Sequence, residues 1–66
     1  MGYDECVSRF QGLYGKREVF IENMSIAINK EQFEQAKQWL SLASGLDLQM
    51  SEILIRLAEL KSENEE

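Results

Sequence analysis

From Trp39 onward the apolar residues keep a strict seven-residue rhythm. Trp39, Ala43, Leu46, Met50, Ile53, Leu57 and Leu60 follow one another at alternating steps of four and three. Only an α-helix gathers such positions on one face. The first half has the same rhythm, through Tyr3, Cys6, Phe10, Leu13, Arg17, Phe20, Met24 and Ala27, with Arg17 as its one charged member. The chain has no proline to interrupt either run and no alternating β-branched segments. The expectation is an all-α protein.

Further apolar residues widen both stripes. Val7, Tyr14, Ile21 and Ile28 sit one residue past the second heptad position, and Phe33, Ala36, Leu40 and Leu54 do similar work in the second half. A two-stranded coiled coil needs a narrow seam; a stripe this wide faces more than one neighbour.

The boundary between helices falls at Ile28-Asn29-Lys30-Glu31-Gln32. Asn29 is a favoured N-cap, and Gln32 three residues later has capping-box spacing. Ile28 and Phe33 would then flank the cap as a hydrophobic staple. These signals predict one helix over residues 4–28 and a second over 30–61. The short turn makes them antiparallel neighbours. Asp4 and Glu5 place anions at the first helix start, where the macrodipole favours them. The domain spans residues 1–62, and the acidic tail, 63–66, is expected to fray.

Glycine tests this reading. Gly12 and Gly15 lie in the first helix and Gly45 in the second, each at a cost of about 1 kcal/mol against alanine. The alternatives are a break or close helix approach at Gly12 to Gly15, and a third helix capped by Gly45 and Asp47. The apolar rhythm passes all three glycines in phase, which favours continuous helices.

A hairpin of two long helices has little interior. Phe10, Leu13, Phe20, Phe33, Trp39, Leu46, Met50, Ile53 and Leu57 are the residues expected to pack, whether as core or as interface. They are too many to hide between two helices. Pairing two hairpins into a four-helix bundle would cover them, and a two-fold homodimer is the commonest closed arrangement. Another protein is the competing occupant.

Composition removes other roles. Twelve acidic residues against seven basic ones leave a net charge of −5, and binding nucleic acid needs the reverse. The chain has no histidine and a single cysteine, so a structural zinc site has almost no ligands to draw on and Cys–His activation is impossible. Cys6 sits at a seam position and reads as a buried, inert thiol. Glu18 with Glu22, and Glu31 with Glu34, have helical spacing for a metal, but di-iron bundles also need histidine. Gly12 and Gly15 lack the lysine and hydroxyl residue of a phosphate loop. No catalytic residue, cofactor, metal or small-molecule substrate is expected. No apolar run is long enough to cross a bilayer, and no basic start precedes an apolar run, so a soluble, cytoplasmic protein is expected.

The stretch from Asn29 to Ala36 resembles one helix of a tetratricopeptide repeat. In size and layout the whole chain is similar to the small helical-hairpin chaperones of bacterial flagellar and type III secretion systems. It also looks like small acidic prophage-encoded regulators. No residue role is carried over from any of these. They imply a non-enzymatic adaptor, chaperone or regulator acting through its apolar stripe. The alternative is an acidic decoy that blocks a nucleic-acid-binding or enzyme surface on another protein.

Overall fold

The computed structural model describes residues 2–64. It is an all-α hairpin: α1 runs Tyr3–Asn29 and α2 runs Phe33–Asn64, and the two pack along their length. The rod measures 53 Å by 15 Å by 15 Å. The helix expected to stop near residue 61 continues to Asn64; Glu65 and Glu66 lie outside the described residues.

The seam is built from the heptad positions. Cys6, Ala27, Ala36, Ala43, Leu46, Met50 and Ile53 are buried there. Phe10, Leu13, Phe20, Met24, Trp39, Leu57 and Leu60 are half-buried, as side chains of a two-helix interface must be. Phe20 and Trp39 meet across it with ring centroids 5.7 Å apart, a tilted aromatic contact. Alanines at 27, 36 and 43 keep the seam thin beside the turn, where two helices joined so tightly must approach closely.

The turn departs from the expected capping box. Asn29 is the last residue of α1 rather than the cap of α2. The connection is Lys30, Glu31 and Gln32, and Glu31 takes a left-handed φ of 59°. The Gln32 amide donates to the Ala27 carbonyl at 2.8 Å, and the Glu31 amide donates to the Ile28 carbonyl at 3.0 Å. That pair of bonds is the Schellman motif, which satisfies carbonyls a helix end would otherwise orphan. Gln32 then starts α2, its carbonyl accepting from the Ala36 amide at 3.0 Å. With the cap shifted to Gln32, Ile28 and Phe33 no longer bracket it as a staple, and both stay exposed.

All three interior glycines lie inside uninterrupted helix, which rules out a break at Gly12 to Gly15 and a third helix after Gly45. None has a positive φ, and a Cβ built at any of them meets nothing within 4 Å. They therefore serve neither a turn nor a close approach.

Candidate interaction surface

The seam divides the hairpin into two flanks, one mostly polar, with Leu42 at 51 % exposure as its apolar member, and one mostly apolar. On one, Arg9 of α1 shares a shallow groove with Gln49, Glu52, Ile53 and Arg56 of α2. These residues place the positions just before Phe10, Met50 and Leu57 on the same side. Lys16 and Asn23 continue that polar side along α1 by seven-residue steps. Arg56 there donates to Glu59 at 3.4 Å.

The opposite flank carries the positions one past the other seam residues. On α1 these are Val7, Tyr14, Ile21 and Ile28; on α2 they are Phe33, Leu40, Asp47 and Leu54. Seven of the eight are apolar. Tyr14 is 48 % exposed, Phe33 63 %, Leu40 50 % and Leu54 52 %, values far above those of the seam. The contacts Arg17–Asp47 and Phe20–Trp39 fix the antiparallel register. Level positions therefore run Val7 with Leu54, Tyr14 with Asp47, Ile21 with Leu40, and Ile28 with Phe33 beside the turn.

Asp47 is the exception on this flank, and it is paired. Arg17, the charged member of the α1 seam, donates from Nε to Asp47 Oδ1 at 2.5 Å. The guanidinium reaches out of the seam instead of lying unpaired within it. At 36 % and 52 % side-chain exposure the pair contributes little stability on its own, on the order of 0–1 kcal/mol.

Of the residues expected to pack, Phe10, Leu13, Phe20, Trp39, Leu46, Met50, Ile53 and Leu57 all lie on the seam inside the hairpin. Phe33 does not; it opens α2 on the outer flank. Sequence reasoning passed over Leu48 and Ile55, which are 66 % and 60 % exposed on the outside of α2. Their seven-residue separation was the available signal. It was masked by the stronger heptad at neighbouring positions.

Cys6 is fully buried. Among the described residues no three His, Cys, Asp or Glu side chains gather as a metal site, and no buried side-chain polar atom lacks a hydrogen-bond partner. Another depression, lined by Glu34, Lys37, Gln38, Ser41 and Leu42, is an open feature of α2 alone. No described helix is long and apolar enough to cross a membrane. The chain matches no protein-family model, no curated protein and no solved structure.

Proposed function

We propose that this chain is a non-enzymatic protein–protein interaction module whose apolar flank docks against a helical surface. The observation that supports this is the exposure of Tyr14, Ile28, Phe33, Leu40 and Leu54 along one side of a rod whose own seam is already filled. A pair of helices laid on that flank completes a four-helix bundle and removes those side chains from water. The helices come from a second copy of the chain or from another protein, as in an adaptor, chaperone or regulator. The exposed carboxylates are spread along both helices among serine, glycine and lysine, so they support no competing reading as a nucleic-acid decoy.

The double substitution Leu40→Asp with Leu54→Asp tests this, because both side chains lie outside the seam. Sedimentation equilibrium, circular dichroism and binding of an environment-sensitive apolar dye are measured on both proteins. The native chain should either self-associate or stay monomeric and bind the dye. The variant should lose that behaviour and keep its helicity. A native monomer that binds no dye and matches the variant would sink the reading.

A further inference from the structure

The three interior glycines share one level of the rod. In the register fixed by Arg17–Asp47 and Phe20–Trp39, Gly45 of α2 stands beside Gly15 of α1. Gly12 lies about one helical turn further towards the open end. All three are exposed on the outside of their helices, with open space where a Cβ would go. Scattered glycines would soften three separate places; gathered, they soften one. The same level holds the one charged residue of the seam, Arg17, whose guanidinium leaves it for Asp47. Gly45 also follows Ser44, and Gly/Ser pairs are among the few causes of sharp helix kinks.

We propose that this level is a hinge, about which the open half of the hairpin splays as a unit while the turn half stays closed. The open half comprises residues 3–11 and 49–64, and the turn half residues 16–44. To splay, each helix must bend away from its partner, which shortens its outer face and crowds the side chains there. Glycine occupies that outer face in both helices at this level, so nothing is crowded.

The two halves differ in what holds them. The turn half has the Phe20–Trp39 ring contact, the buried alanines 27, 36 and 43, and a covalent connection through the turn. The open half is closed by Cys6, Met50 and Ile53, with half-buried Phe10 and Leu57, and nothing joins its far end. Leu13 and Leu46 stand in the seam at the pivot. Proteins open locally in contiguous units, and the boundary falls where the backbone is weakest. Opening here bares Cys6, Phe10, Met50, Ile53 and Leu57 without unfolding the rest. The hinge is independent of what covers the apolar flank.

Cys6 is a built-in reporter, because it is fully buried and meets a thiol reagent only when the open half opens. Labelling is followed in increasing urea, on the native chain and on the triple variant Gly12→Ala, Gly15→Ala, Gly45→Ala. Protein is kept at a concentration where sedimentation shows a monomer, and reagent where the rate stays proportional to it, so that the rate reads the open population. Equilibrium unfolding by circular dichroism gives the urea slope of the whole rod. The expected labelling slope is roughly half of that, since about half the seam is exposed. The three alanines are expected to slow labelling roughly ten-fold or more. Fraying turn by turn from the open end would free Cys6 before reaching Gly12. A rate left unchanged by the alanines, or a slope near zero, therefore overturns the hinge in favour of fraying. A slope equal to that of global unfolding overturns it in the other direction, because the rod then opens only as a whole.

Discussion

Two kinds of residue in this chain are worse than they need to be. Gly12, Gly15 and Gly45 weaken helices that gain nothing from them, since each has open space where a Cβ would go. Replacing any one with alanine is expected to raise unfolding free energy by about 0.5–1 kcal/mol, seen as a higher urea midpoint at unchanged slope. Glu31 is the converse. It holds a left-handed conformation that suits glycine, so Glu31→Gly is expected to stabilise the turn by roughly 1 kcal/mol. A lower thermal midpoint for Glu31→Gly would show that its backbone is not strained in the folded state. This residue also explains the misplaced boundary. A Schellman turn announces itself in sequence through glycine, and here the position is glutamate. Asn29 and Gln32 then offered a more familiar signature three residues too early.

At the scale of the helices, neighbouring residues should answer differently to the same change. Ile53 is 5 % exposed in the seam and Leu54 is 52 % exposed on the flank. Ile53→Asp puts a charge into the one core this chain has, and helicity is expected to collapse. Leu54→Asp is expected to keep helicity and lose association. Equal circular dichroism spectra for the two variants would contradict the division into seam and flank. That division was only half legible beforehand. The heptad from Trp39 to Leu60 located the seam, because period alone decides which residues share a face. It left open whether Phe33, Leu40 and Leu54 joined that face. In a two-helix rod, each helix buries only the width of its partner, and residues one position off the seam emerge on the side.

For the molecule as a whole, stability and assembly are expected to be linked. If folded chains pair, the thermal midpoint rises with protein concentration. A midpoint constant over a hundred-fold concentration range would mean that the hairpin stands alone. Salt gives an independent reading. Raising ionic strength from about 0.15 M to about 1 M shortens the screening length from about 8 Å to about 3 Å. Repulsion between two chains of charge −5 then fades, so association should strengthen. An interface dominated by exposed ion pairs would weaken instead.

The tight turn at Lys30, Glu31 and Gln32 also sets an order of events in time. Partners beside it, such as Ala27 and Ala36, are separated by only a few residues of chain, whereas Cys6 and Leu57 must close almost the whole length. The entropy lost in bringing partners together grows with that separation. Folding is therefore expected to proceed like a zip from the turn towards the open end, with opening expected to begin at that end. Amide protons around Phe20 and Trp39 should outlast those around Cys6 and Leu57 in hydrogen exchange.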